Sequence, residues 1–417
     1  MPLPGDFVSL MRSQYGDAEA GDLCRALECS EAPVSVRLNR RKMHACMSAG
    51  DVRDICEHFA SVFRPVPWCP DAWYLPRRPA FTFDPMLHAG VYYVQEASSM
   101  FVADMLRRQL PVGGGEGAGP VTALDLCAAP GGKSTLLAGL LPQGSTLVSN
   151  EVMPKRAQVL AENMTKWTGG MPDGGYPVLS IVTGNQPADF AALAGQFDLL
   201  LADVPCSGEG MFRKDRRAIA DWSLDNVEMC RQRQREILRD ILPVLRPGGL
   251  LLYSTCTFNH YEDEENARHA CMLMGGDLLE ERHFLPGRDC GEGFYVAAIR
   301  KPATGGLAPA PRLQARECAR RFLRVLYDGS RDGSGTSALP RIALSYDQAL
   351  QYLRREVVRV EAPRGMVTLC YEGFPLGQGK SVGSRINNLY PSEWRIRSGY
   401  TTPFCLFDEV LHTQGQV

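Results

Sequence analysis

Two cysteines stand where thiol chemistry on a bound substrate could be carried out: Cys206 in DVPCSGEG (203–210) and Cys256 in YSTCTF (253–258). Each follows an apolar run, FDLLLADV or GGLLLYST, of the kind that forms a strand buried on both faces. Most of the other cysteines among the 14 in the chain, such as Cys271 and Cys370, read as small apolar fillers. Thiols do chemistry only where their surroundings favour the thiolate, so local context singles out this pair.

A third feature supplies a ligand site. LDLCAAPGGKST (124–135) runs from a strand through a glycine-rich turn into a helix. Its GGKS end imitates a phosphate-binding P-loop, but that motif needs glycine five residues before Gly132, where Cys127 stands. The GxGxxG dinucleotide fingerprint is also missing. Gly131 and Gly132 still let a ligand approach the backbone closely, with a bland packing turn as the alternative. The next strand ends at Glu151, where a carboxylate can accept both hydroxyls of a ribose. A nucleoside cofactor without a pyrophosphate fits this set, and S-adenosylmethionine is such a cofactor.

The elements that must position these residues alternate along the chain. VTALDLCA (121–128), STLVSNEV (145–152), YPVLSIVTG (176–184), FDLLLADV (197–204), GGLLLYST (248–255) and FYVAAIRK (294–301) read as strands. STLLAGLL (134–141), PKRAQVLAENMTKW (154–167) and NVEMCRQRQREILRDILPVL (226–245) read as helices, the second opened by proline and the third stopped by RPGG. Continuous apolar strands separated by helices predict a buried parallel sheet of the α/β doubly wound class, with ligands at the carboxyl ends of its strands. Upstream, VSVRLNRRK (34–42) is β-like, and VYYVQEASSMFVADMLRRQL (91–110) passes from a strand into an amphipathic helix with Met100, Val102, Met105 and Leu106 on its apolar face. PVGGGEGAGP (111–120), ATGGLAPAPR (303–312) and DGSRDGSGTSALP (328–340) are breaks. Beyond them LSYDQALQYLRRE (344–356) is a helix with an N-cap serine, while VTLCYEG and YTTPFCLF are strand-like.

The 417 residues carry 45% apolar and 22% charged side chains and a net charge of −2, an ordinary globular composition whose overall field does not attract nucleic acid. RNA binding would therefore rest on local patches. No secretory leader or long apolar run is apparent, and no Cys/His spacing suggests zinc. The chain reads as cytoplasmic, with reduced thiols and no metal or membrane partner, and it is expected to act as a monomer.

Taken together, CAAPGGKST, NEVMPKR, DVPCSGEGMFRKD and LRPGGLLLYSTCTFNHYEDEENA resemble the Nol1/Nop2/Sun family of RNA cytosine-5 methyltransferases, and within it the bacterial RsmF-type enzymes of 16S ribosomal RNA. RLNRRK, VPWCPDAWYL and AGVYYVQEASSM upstream, and GFPLGQGKSVGSRINNLYPSEWRIR (373–397) downstream, are similar to the N- and C-terminal signatures of that type. The resemblance implies a Rossmann-like class I methyltransferase sheet over 91–302, preceded by an α+β RNA-binding region (1–90). A linker (303–340) and a PUA-like RNA-binding domain (341–417) would follow. It implies a cofactor loop at Cys127, Ala128, Ala129, Pro130, Gly131, Gly132 and Lys133, with further contacts from Glu151 and Asp203. Where the family commonly has aspartate after the third strand, this chain has Asn185, which keeps an acceptor oxygen but loses the charge.

The chemistry implied is covalent. C5 of cytosine is a poor nucleophile until a thiolate adds at C6, after which C5 can take a methyl group. The family assigns the attack to Cys256 and resolution of the adduct to Cys206, whereas the Pro-Cys thiol of DNA cytosine methyltransferases would point to Cys206 instead. Asp203 is expected on the N3/N4 edge of the base, with Lys133 beside it. Lys380, Arg385, Arg395 and Arg397, interleaved with Tyr390, Trp394 and Tyr400, suit phosphate contact and base stacking. Arg213, Lys214, Arg37 and Lys42 are further candidates for the RNA backbone. A transfer RNA substrate and a non-catalytic RNA-binding assembly factor are the alternatives to 16S ribosomal RNA methylation.

Overall fold

A computed structural model describes residues 2–110, 119–171, 176–303, 324–328, 339–399 and 403–407. The breaks expected at 111–120 and 303–340 fall largely outside these residues, as does Tyr400. The chain divides into two compact units. The first is made from 1–33, 95–160 and 177–327, the second from 34–94, 161–176 and 328–417.

The first unit is built on an eight-stranded sheet. Its strands are β1 (Thr122–Asp125), β2 (Thr146–Asn150), β3 (Leu179–Thr183), β4 (Phe197–Asp203), β5 (Leu245–Thr255), β6 (Asp277–Phe284), β7 (Phe294–Arg300) and β8 (Val325–Asp328). Their spatial order is β6-β7-β5-β4-β1-β2-β3-β8. Pairings among β1 to β5 are parallel, and β7 inserts antiparallel between β5 and β6. The parallel strands are nearly all buried, which is why they read as unbroken apolar runs. The order reverses between β1 and β4, and such a reversal opens a crevice at the carboxyl ends of the strands. Leu200, Ala202, Leu251 and Tyr253 fill the core on one side with Leu238 and Ile241 of helix Leu224–Ile241. A long N-terminal helix, Gly5–Cys29, bends at Gly16 (φ +78°) and packs Phe7 and Met11 against Phe212, Trp222 and Phe258.

The second unit holds two four-stranded sheets. One joins Arg64–Val66, Cys69–Leu75, Val34–Leu38 and Tyr92–Val94; the other joins Arg341–Ala343, Gly365–Tyr371, Phe374–Ser381 and Ile386–Asn388. Helix Tyr346–Leu353 starts at the expected cap, where Ser345 and Gln348 bond each other's backbone N–H. The strand expected over 34–42 stops at Leu38, because Asn39 caps a helix beginning at Arg40. YTTPFCLF is not a strand in its described part: 403–405 have no regular structure and 406–407 form a helical turn. Phe404, Cys405, Leu406 and Phe407 are all buried, so the run lacks the two-sided alternation of a half-buried strand. Phe407 packs on Phe59, Phe404 on Phe81, and the Leu406 N–H donates to Asp84 at 2.8 Å.

Among the described residues no helix is long and apolar enough to cross a membrane.

Candidate functional site

Parallel pairing sets the site. Asp203, the last residue of β4, lies opposite Ser254 of β5, so the segments that follow leave the sheet at one level. Cys206 and Cys256, 50 residues apart in sequence, thereby come together with their Sγ atoms 3.2 Å apart. The two sulfurs are hydrogen-bonded, and either thiol can be the donor. That hydrogen bond, followed by burial and by the nearby charges of Cys256 and Glu262, holds the Cys206 proton well above the usual thiol range.

Asp203 is clamped from two sides. Lys133 Nζ donates to Oδ2 at 2.9 Å and the Ser254 hydroxyl donates to Oδ1 at 2.7 Å. Burial works against the charge on Lys133, but Asp203, Asp125 and Cys256 outweigh it and raise its pKa. Lys133 also lies 4.9 Å from the centre of the Phe294 ring. Lys133 is therefore a cation held on Asp203 and within electrostatic reach of Cys256.

The glycine-rich turn is held open for a ligand. Gly131 takes φ +117°, a left-handed conformation that suits glycine, and the helix from Gly132 to Leu140 begins there. The Ala128 N–H bonds the Asn150 carbonyl at 2.8 Å, and Arg156 donates to the Ala129 carbonyl at 2.7 Å. Cys127 has its pKa raised by burial and by the carboxylates of Asp203, Asp125 and Glu151, so it stays an unreactive thiol. Glu151 is 3% exposed; its Oε1 accepts from the Met153 N–H at 2.9 Å, while among the described residues its Oε2 has no hydrogen-bond donor and only Arg156 at 3.5 Å. Asp125, fully buried, accepts the Ser134 hydroxyl on Oδ2, and its Oδ1 has no partner among the described residues. Two buried carboxylate oxygens without donors, with Asp203 nearby, fit a ligand carrying hydroxyls and positive charge. That set fits S-adenosylmethionine.

Asn185 stands at the expected strand end but its amide is engaged. Its Oδ1 accepts from the Arg324 N–H at 2.9 Å and its Nδ2 donates to Asp189 at 3.4 Å.

Three acids escaped the sequence reading. Asp125 is one; Glu209 and Glu262 are the others, although both lie inside motifs already quoted. Glu262 accepts from the Ser207 N–H, Gln234 and Asn259 at 2.7–3.0 Å. Glu209 accepts from the Phe258 and Asn259 N–H groups and from the Trp222 and Asn259 side chains. Together they bind the loop after Cys206 to the loop after Cys256. The signal available in sequence was an acid within a strand-end motif beside small and amide side chains.

The basic residues separate. Lys380, Arg385, Arg395 and Arg397 are exposed on the second unit, and Trp394 is half-buried there. Arg37 is not available to an RNA backbone: it is 3% exposed, with its guanidinium 4.6 Å from the Trp167 ring centre. Lys42 is 1% exposed and donates to the carbonyls of Ala89 and Lys166. Arg213 ties itself to Ser30 and to the carbonyls of Glu31 and Gly291, and Lys214 pairs with Glu292 at 2.5 Å.

Asp125 gives a pH test of the site. Burial first, eased by the Ser134 hydrogen bond, pushes its carboxyl up to about 7, against about 3.9 in an unfolded chain. The folded protein therefore binds the extra proton between these values, and stability should fall as pH rises through that window. Asp125→Asn is expected to flatten the fall in melting temperature between pH 4.5 and 7.5, measured without cofactor. Parallel curves for the two proteins would count against this assignment.

Comparison with known proteins gives a consistent result. Residues 119–300 match the family described as 16S rRNA methyltransferase RsmB/F. Residues 3–97 match the N-terminal domain of 16S rRNA methyltransferase RsmF, and 339–396 match the methyltransferase RsmF PUA domain. The ribosomal RNA small subunit methyltransferase F of Cronobacter sakazakii is 31% identical over 381 residues, covering 85% of this chain and 74% of that one. The same-named protein of an Enterobacter species is 29% identical over 488 residues, covering 95% and 96%. Among solved structures, a methyltransferase homolog from Pyrococcus horikoshii is 25% identical with a TM-score of 0.57, covering 70% of this chain and 93% of that one. NSun6 from the same organism, solved with SFG, shares the fold at 17% identity and a TM-score of 0.56, covering 73% and 99%.

Proposed function

The chain belongs to the RsmB/F family of 16S rRNA methyltransferases, and from that premise we propose that it methylates C5 of cytosine in 16S ribosomal RNA with S-adenosylmethionine, through a covalent bond from Cys256 to C6. The observation that carries this reading is the thiol pair, 3.2 Å apart beside a Lys133–Asp203 ion pair. A donor such as S-adenosylmethionine supplies an electrophilic methyl group. Glu151 Oε2 is suited to its ribose hydroxyls, and the backbone from Cys127 to Lys133 to its remaining length.

The chain's own residues do the rest. Cys256 attacks C6 and pushes electron density to C5, while Asp203 and Lys133 hold the N3/N4 edge of the base. Once the Cys256 sulfur is bonded to carbon, the charge that kept the proton on Cys206 is gone, so Cys206 becomes more acidic. With the methyl group on C5, Cys206 gives its proton to solvent and as a thiolate takes the C5 proton; the C5–H electron pair re-forms the C5–C6 double bond and expels Cys256 as a thiolate, so one proton is released per methyl transferred. The target cytosine must leave its stack, because C5 and C6 are attacked face-on. The exposed cations Lys380, Arg385 and Arg395 are suited to the RNA backbone.

The test is transfer of a labelled methyl group to 16S ribosomal RNA, as free RNA and as assembled small subunit, with bisulfite sequencing to locate it. No label in either form, with transfer RNA labelled instead, would overturn the substrate assignment. Glu151→Gln is expected to weaken cofactor binding about 10-fold, as loss of a charged hydrogen bond does. Calorimetry showing unchanged affinity would remove Glu151 from the cofactor site.

A further inference from the structure

The second unit contains a cavity of about 550 Å³ that no part of the methyl-transfer scheme uses. Its walls come from strands and loops of the second sheet and from the end of helix Pro154–Thr168 with the residues that follow. Two of its lining residues carry buried hydroxyls with no hydrogen-bond partner among the described residues: Tyr390, 2% exposed, and Thr368, 6% exposed. Buried polar groups are nearly always paired, so two orphans on one cavity mark a place built for a polar ligand.

The rest of the lining says which kind. Trp394 is half-buried at the wall, edge-on to Tyr390 at 6.1 Å, and Tyr390 is edge-on to Tyr352 at 5.3 Å. Lys166 lies 5.6 Å from the Trp394 ring centre, and Arg341 lines the same space. Among the described residues no aspartate or glutamate lines the cavity itself, although Glu162 is ion-paired with Lys166 at 2.5 Å. An aromatic platform, cations and unpaired hydroxyls together suit a base to stack, an edge to read and a phosphate to hold. The volume falls within the usual range for small-ligand sites, roughly 300–1,000 Å³.

We infer that this cavity receives one unpaired nucleotide of the RNA substrate, separate from the cytosine that is methylated. The base stacks on Trp394, its edge bonds the Tyr390 and Thr368 hydroxyls, and its phosphate meets Lys166 and Arg341. The inference rests on the RNA-methylating function proposed above.

The test uses the full chain and fluorescence anisotropy with a labelled single-stranded RNA of mixed sequence, a fully paired RNA of the same sequence, and free CMP and AMP as competitors. Tyr390→Phe removes only the orphan hydroxyl. It is expected to weaken single-strand binding severalfold while leaving the melting temperature equal or higher, because the free protein loses an unpaired buried group. Trp394→Ala is expected to weaken single-strand binding by about 10-fold or more, as loss of one stacked base does. Arg341→Gln should lower the salt dependence by about one phosphate contact. Wild-type affinity in Tyr390→Phe and Trp394→Ala, with methyl transfer to RNA intact, would overturn the subsite and leave the function standing. Tight binding of free CMP or AMP to the cavity, with no preference for single-stranded RNA, would also overturn it. A wild-type protein that binds RNA with this pattern but methylates none would overturn the function instead.

Discussion

Replacing Cys256 by alanine is expected to lower methyl transfer by at least about 10³-fold, the scale on which enzymes lose a covalent nucleophile. Cys206→Ala is expected to do something different: the protein should accumulate on its RNA as a covalent adduct that survives a denaturing gel. The asymmetry expected is the family's division of labour, Cys256 attacking and Cys206 resolving; the structure places the two sulfurs 3.2 Å apart, with the Cys206 proton held by that contact and by burial. Lys133 is tied to Asp203, and its own pKa is raised in part by Cys256, so a cation accompanies the attacking sulfur. Without Cys206 the attack can proceed, but no sulfur remains 3.2 Å away to take the C5 proton. An adduct formed by Cys256→Ala and absent from Cys206→Ala would exchange the two roles.

Glu209→Ala should be the most damaging change outside the thiols. The side chain is fully buried and accepts four hydrogen bonds, two of them from the N–H groups of Phe258 and Asn259 just after Cys256. Removing it strands the N–H groups of Phe258 and Asn259 and the Trp222 indole N–H away from water, while the Asn259 amide keeps Glu262. Breaking such a buried charged network costs about 3–5 kcal/mol, which in a domain of this size lowers the melting temperature on the order of 10 °C. Glu209→Gln tests position separately from size, because its NH2 group would face N–H donors. It is expected to lose adduct formation even well below its melting temperature. A Gln variant that forms adduct at the wild-type rate would show that the loop after Cys256 is held by other contacts.

The sheet was legible because its parallel strands are buried on both faces and so appear as plain apolar runs. The site was legible for the same reason, since two of those runs stop at Asp203 and Thr255 and Glu151 directly follows a third. Strand β6 was not read: DLLEERHF is mostly exposed at the sheet edge, and its charged residues obey neither a two-residue nor a helical period. Arg37 misled because alternation along 34–42 suggested an outward cation, whereas the strand is buried and the guanidinium is covered by Trp167. Glu209 and Glu262 were hidden because a buried acid looks like a surface acid until its donors, drawn from distant segments, are known. The same holds for Tyr390 and Thr368, whose lack of partners only coordinates reveal.

The second unit is assembled from three stretches of chain, 34–94, 161–176 and 328–417, and its core joins Phe59 and Phe81 to Phe407 and Phe404. These contacts span most of the polypeptide, and contacts of such high order form late. During synthesis Phe59 and Phe81 can pack on Phe63, Trp73 and Tyr92 within 34–94, but their outer contacts wait until 404–407 have left the ribosome. A shortened chain ending before residue 404 would therefore leave Phe59 and Phe81 without their C-terminal partners. Removing the C-terminal part is thus an experiment on the folding of the early segment as much as on RNA affinity, and point substitutions on the cavity wall are the cleaner instrument.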